Sequence, residues 1–233
     1  MSRARIWELD ALRGLCILGM IAVHLLFDLT GFYGAVSFEY PGWLLFLMDW
    51  GGVAFFLISG ICVTLGSRCV RRGLIVLGCG LAVSLVTLVM YRMGVAAKAI
   101  LIYFGVLHCL GACMILWALF RKLPNGLLAL VGGILVALGL WFKTLTVQTK
   151  ALFWLGLLYE GFSTSDYFPL LPFLGFFLLG AWLGRVLYQE KASLLPGFRC
   201  KPLEWIGRHS LLIYMLHQPI LTGLLFVIYY VKL

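Results

Sequence analysis

The sequence predicts an all-α fold, a polytopic transmembrane bundle of about seven spanning helices over residues 1–233, read as a single domain with the N-terminus in the cytosol and the C-terminus outside. Three observations predict it. The 233 residues are 63% hydrophobic and only 12% charged, too few polar groups to cover a soluble protein of this size. The apolar residues form runs about as long as a ~30 Å hydrocarbon core demands, not the ~10-residue alternating segments of a β-barrel. Lys and Arg, finally, are divided unevenly between alternate loops.

The first run, Ala11–Tyr33, follows a basic N-terminal stretch. No short apolar core with a small-residue cleavage site follows that stretch, so the first helix is expected to be retained rather than removed as a signal peptide. A loop carrying Glu39 but no Lys or Arg leads to the second run, Trp43–Gly66. Arg68, Arg71 and Arg72 precede the third, Gly73–Met93; Lys98 and the pair Arg121 and Lys122 bracket the fourth, Ala99–Phe120. The fifth, Gly126–Phe142, is the shortest. Ala151–Glu160 is too short to span and is read as interfacial or re-entrant. The sixth and seventh are Phe168–Tyr188 and Ser210–Val231. Pro169, Pro172 and Pro219 should kink these segments or free carbonyls. Gly180 with Gly184, Gly132 with Gly133 and Gly51 with Gly52 allow close helix approach.

With the N-terminus inside, thirteen Lys and Arg fall on cytosolic segments against five (Arg92, Lys98, Lys143, Lys150 and Lys232) on the other side. The net charge of +9 therefore reads as a topology signal, with the lipid bilayer rather than nucleic acid as the partner. The seven cysteines show no CxxC and no His/Cys ligand spacing, so neither disulfides nor a metal site is expected.

The first run carries Arg13, His24 and Asp28, where a plain anchor would carry no ionisable group. At ~100° per residue, Arg13 and His24 lie ~20° apart around a helix and ~16 Å apart along it, and Asp28 lies within ~60° of Arg13. Ionisable groups on one face within lipid mark a functional site by default. Helical rise places His24, His108 and His217 near one depth, Asp28 and Asp49 nearer the outer face, and Arg13, Arg68, Arg72 and Arg208 on a basic cytosolic rim. A neutral imidazole beside a carboxylate can take a proton from a hydroxyl or amine. A basic rim can hold a phosphate-rich donor such as coenzyme A.

Four blocks carry a resemblance to a known family: RIWELDALRGLCILGMIAVHLLFDL; FFLISGI (Phe55–Ile61); IYFGVLH (Ile102–His108); and SDYFPLLPFLGFFLLGAWLG with WIGRHSLLIYMLHQPIL. The opening block, with Arg-Gly and a His eleven residues after the Arg, is similar to the first helix of bacterial membrane acyltransferases. The chain as a whole resembles the small bacterial membrane proteins grouped with the catalytic domain of heparan-α-glucosaminide N-acetyltransferase. The resemblance implies a multi-pass protein of the bacterial inner (plasma) membrane. It also implies transfer of an acyl group, acetyl from acetyl-CoA as co-substrate, from the cytosolic side to an amine or hydroxyl of an extracytoplasmic, carbohydrate-like acceptor. The lysosomal enzyme has Asn where this chain has His24, and a histidine about eleven residues later, where this chain has Ala35.

These readings combine into one expectation. His24 is the general base and Asp28 its orienting carboxylate. Arg13, with Arg68, Arg72 and Arg208, binds the donor. His108 and His217 are a second base or oxyanion donors. Asp49, Asp166 and Tyr167 contact the acceptor. No metal and no haem is expected, and the small helix count is compatible with a homodimer. A proton-coupled transporter or exporter built on the same histidine layer, a haem protein with two of these histidines as axial ligands, and a non-catalytic membrane subunit are the competing classes.

Overall fold

The computed structural model describes residues 5–32, 38–95 and 97–230, apart from the side chains of Phe32, Asp49 and Tyr230. Arg3, Ala35 and Lys232 fall outside the described residues. Eight α-helices follow one another: α1 Trp7–Phe27, α2 Gly42–Leu65, α3 Cys69–Arg92, α4 Val106–Phe120, α5 Asn125–Phe142, α6 Leu170–Leu187, α7 Lys201–Arg208 and α8 Ser210–Tyr230. Among the described residues the only β pairing is two isolated bridges, Phe104 with Tyr167 and Thr146 with Leu158.

Five stretches are long and apolar enough to cross a membrane: Trp7–Gly31, Cys69–Arg92, Asn125–Phe142, Leu170–Leu187 and Ser210–Tyr229. The two arms of α2, Gly42–Met48 and Trp50–Leu65, make a sixth if taken as one bent span. The remaining predicted run is cut short, because only Val106–Phe120 of it is α-helical. The reason is local. The carbonyl of Leu101 accepts from Ser165 N–H and the Thr164 hydroxyl, while Ile102 accepts from Ser84 and donates to Thr87. Those backbone groups are committed outside any helix, so Lys98–Ile100 closes only a 3-10 turn.

The chain divides into two compact units, Met1–Phe55 with Lys191–Leu233, and Phe56–Glu190. In the first, α1 is an apolar helix with Glu8 and Asp10 in its first turn, where carboxylates complement the positive helix end. It stays regular to Phe27, then widens into a π-helical turn, Asp28–Phe32. The short helix α7 lies against the first two turns of α1. A Cβ on Gly207 would sit 1.7 Å from the Asp10 carbonyl oxygen, and one on Gly14 2.3 Å from that of Leu203. Only hydrogen fits at either place, so these two glycines set the approach.

Polar contacts fasten the same end. Glu8 accepts from the Ser193 hydroxyl at 2.7 Å and the Leu194 N–H at 2.8 Å, and the Trp7 indole donates to the Leu195 carbonyl at 2.8 Å. Glu204, 2% exposed, accepts from Arg199 at 3.0 and 2.8 Å and from Arg208 at 2.6 Å. The Arg199 hydrogen bond, together with the charges of Arg199 and Arg208, holds the Glu204 carboxyl below its ordinary value. Arg208 also reaches Asp10 at 3.4 Å. Beyond this end, α8 runs along α1.

In the second unit, glycine crossings again bring helices together. The second half of α2 meets α6 through Gly60 and Gly180, where added Cβ atoms would fall 2.0 and 2.1 Å from the Phe177 and Leu57 carbonyl oxygens. A Cβ on Gly184 would fall 2.7 Å from the Thr64 hydroxyl and 2.9 Å from the Ile61 backbone, so the predicted Gly180/Gly184 pair does mark a helix contact. Gly133, by contrast, faces open space. Phe56 stacks on Phe168 nearby, and Phe173 packs against both at a tilt.

Candidate active site

The first unit brings together part of the predicted stripe and residues from the far end of the chain. The His24 and His217 rings meet edge to face, with centroids 4.9 Å apart and planes at 90°. Asp28, fully buried at 0% exposure, is held by the Gln218 amide, whose nitrogen donates to both carboxylate oxygens at 3.0 and 2.9 Å. A buried carboxylate needs such partners, since an unpaired charge there is very costly. The structure thus gives Asp28 a hydrogen-bond partner in Gln218, where the sequence reading had it orient His24.

The tautomer of His217 follows from its neighbours. Its Nδ1 lies 2.5 Å from the Tyr214 carbonyl oxygen, which can only accept, so Nδ1 carries the proton. In the neutral ring, Nε2 is then a bare lone pair. That atom is buried and, among the described residues, has no partner. Gln218 Oε1 and the Arg13 Nε are likewise buried without partners. Native proteins rarely leave such groups unmatched. Three of them lie in the unit that holds the paired histidines.

The other predicted residues are placed differently. His108 belongs to the second unit, where both of its nitrogens are in use. Its Nδ1 accepts from the Gly105 N–H at 3.2 Å, so Nε2 carries the proton and donates to Ser84 Oγ at 3.2 Å. Ser84 passes its own proton to the Ile102 carbonyl at 2.6 Å. His108 thus caps the start of α4, and Gly80 makes room for it, since a Cβ there would stand 3.0 Å from the ring. Asp166 accepts the Val106 N–H at 3.0 Å, which neutralises another free donor of the α4 N-terminus. Its Oδ2 fills the space where a Cβ on Gly105 would be, 2.0 Å away. The Tyr167 hydroxyl donates to the Phe153 carbonyl at 2.7 Å, and burial pushes its phenol up. Arg68 and Arg72 are exposed around the start of α3. Arg208 does not stand free on a basic rim, because Glu204 and Asp10 neutralise it. The side chain of Asp49 lies outside the described residues.

Gln218 is the residue that sequence reasoning missed. It stands inside the quoted LHQP motif, but an amide raises no flag in a search for ionisable groups. Its one available signal was a polar side chain directly after a histidine in an otherwise apolar run. Among the described residues no group of three His, Cys, Asp or Glu side chains is arranged to hold a metal ion.

Long apolar helices and buried polar side chains on α1 and α8 define an integral membrane protein with a polar centre within its helices. Residues 5–219 match the family model for heparan-alpha-glucosaminide N-acetyltransferase, catalytic, and the chain belongs to that family. The match runs over nearly all of the chain and includes both halves of the polar centre. Comparisons with curated proteins and with solved structures returned no match. The family assignment points to a membrane acetyltransferase-like function.

Proposed function

We propose that the protein transfers an acetyl group from acetyl-CoA, held at the cytosolic side of the bacterial inner membrane, to an amine or hydroxyl of an extracytoplasmic, carbohydrate-like acceptor. The observation that supports this reading most is the open Nε2 of His217 beside His24. A general base needs an unprotonated, positioned nitrogen. The Tyr214 carbonyl fixes the His217 proton on the other side of the ring and leaves that nitrogen unprotonated.

The acceptor nitrogen or oxygen attacks the thioester carbonyl carbon while its proton passes to His217 Nε2. The C–S bond then breaks, and the leaving thiolate of coenzyme A takes the proton back from the imidazolium. His24 flanks the base, so the pair rather than His24 alone handles the proton. Gln218 Oε1 offers an acceptor for a second hydrogen of an amine, and Asp28 keeps the Gln218 amide in place. Arg13, with its unpartnered Nε, is the cation of this unit for donor phosphates. Arg208 is excluded by its carboxylate partners, and Arg68 and Arg72, exposed at the start of α3, belong to the other unit and are not assigned to this centre. His108, Asp166 and Tyr167 shape the scaffold, not the chemistry.

The test is release of free thiol from acetyl-CoA by the purified protein in nanodiscs, with an amino sugar as acceptor. Release that depends on acceptor, and that is lost in both His24→Ala and His217→Ala while helix content is retained, is the expected result. Undiminished release in both variants would overturn the reading.

A further inference from the structure

The segment 191–208 has two faces of opposite character. One is closed: Glu204 is 2% exposed, and Gly207 touches the backbone of α1. The other carries large apolar side chains that are mostly exposed, although Phe198 edges against Trp7 and Trp205 packs beside His209. Leu194 is 51% exposed, Leu195 56%, Phe198 66% and Trp205 60%. These residues lie outside every stretch long enough to cross a membrane, so contact with lipid tails around a spanning helix does not account for them. A cluster of large apolar side chains of this kind marks an interaction surface.

The position of the segment says which one. It is fastened to the first two turns of α1, the end of a spanning helix that carries Glu8, Asp10 and Arg13. That is the level where hydrocarbon gives way to water. A short helix carrying an exposed Trp, led into by an exposed Phe, suits the plane of that boundary, where aromatic side chains anchor. Charge narrows the partner further. Glu8, Asp10 and Glu204 each have hydrogen-bond or ion-pair donors. Lys191 and Lys201 are exposed, and the four ion pairs found among the described residues include neither. The exposed side chains of the segment are therefore large and apolar, with Lys191 and Lys201 as exposed cations outside the four ion pairs.

We propose that residues 191–208 form an interfacial strap that binds anionic phospholipid headgroups through Lys191 and Lys201 and the acyl boundary through Leu194, Leu195, Phe198 and Trp205. Trp205 reports on it directly. The full-length protein is placed in nanodiscs of phosphatidylcholine containing an equal mole fraction of either brominated phosphatidylglycerol or brominated phosphatidylcholine. Quenching at Trp205 is read as the difference between the protein and its Trp205→Phe variant. Stronger quenching by the anionic lipid is expected, with the preference falling about fivefold for each of Lys191→Gln and Lys201→Gln. Equal quenching by the two lipids, or a preference unchanged in the double variant with retained helix content, overturns the proposal. If the Phe198→Ala and Trp205→Ala variants instead convert a dimer to a monomer in detergent, the face belongs to a second copy of the chain, and the lipid assignment fails.

Discussion

Two buried histidines, one in each unit, use their rings in opposite ways. His108 is 4% exposed and His217 8%, so burial does not separate them. Their partners do. His108 has a donor at Nδ1 and a hydroxyl at Nε2, and the chain of bonds ends on the Ile102 carbonyl. Such a ring is a structural member with a fixed proton. His217 has one nitrogen on a carbonyl and the other facing no described partner. A buried lone pair left open is a cost to folding, and a site that must accept a proton is a reason to retain it. Depth in the membrane, which both histidines share by sequence arithmetic, does not distinguish a base from a helix cap.

The sharpest way to break the comparison is to remove each ring in turn. His217→Gln keeps a polar side chain but not a basic nitrogen. Turnover should fall by about 10²–10⁴-fold, the usual contribution of a positioned general base, with thermal stability little changed. Measured thiol release from acetyl-CoA under saturating donor checks it. If His108→Gln produced that loss and His217→Gln did not, the assignment of the two rings would be reversed.

The spacing of Arg13, His24 and Asp28 was legible because a long apolar run without proline folds as one helix, and α1 is regular through His24. The arithmetic loosens at Asp28, where the backbone passes into a π turn. What no spacing rule supplies is the partner from another part of the chain. Gln218 bonds Asp28 across 190 residues of sequence, and Ser84 reaches His108 from a different helix. The helix α7 was hidden for another reason. Lys201–Arg208 holds only eight residues and mixes charges with apolar groups, so it reads as a basic loop. Yet the Glu204–Arg208 spacing of four is a helical ion-pair signature, and weighing it would have removed Arg208 from the donor site. Among the spanning segments, the fourth was overestimated because Ile102–Gly105 is apolar enough to read as helix while its backbone hydrogen bonds go to side chains and to the chain at 164–168.

Removing His108 probes the other half of the comparison at a smaller scale. His108→Ala strands the Gly105 N–H inside the second unit, while the Ser84 hydroxyl keeps its bond to the Ile102 carbonyl. An unsatisfied buried group costs about 1–3 kcal/mol, so the thermal midpoint in micelles should drop. Turnover per folded molecule should change far less than in His217→Gln. Restoring stability with His108→Asn, which can still accept from Gly105, would confirm that the ring serves as a cap.

The smallest expected effect concerns charge rather than histidine, and again it divides the units. The ion pairs of Arg5 and Arg208 with Asp10, and of Arg199 and Arg208 with Glu204, lie in the first unit. Arg199 and Arg208 hold the Glu204 carboxyl below its ordinary value of about 4.5. The folded chain therefore binds that proton less tightly than the unfolded chain does. The stabilisation from this group is complete above the ordinary carboxylate range and is lost as pH falls through the lowered folded value. Hydrogen exchange over α7 should accordingly be flat from neutral pH down to about pH 5, after correction for intrinsic rates, and should rise below it, while exchange over α5 and α6 does not follow. Glu204→Gln should exchange faster over α7 at neutral pH and lose the acid-dependent rise. An acid response of α7 that survives Glu204→Gln would place the sensitive carboxylate elsewhere, with Asp10, the other partner of Arg208, as the next residue to replace.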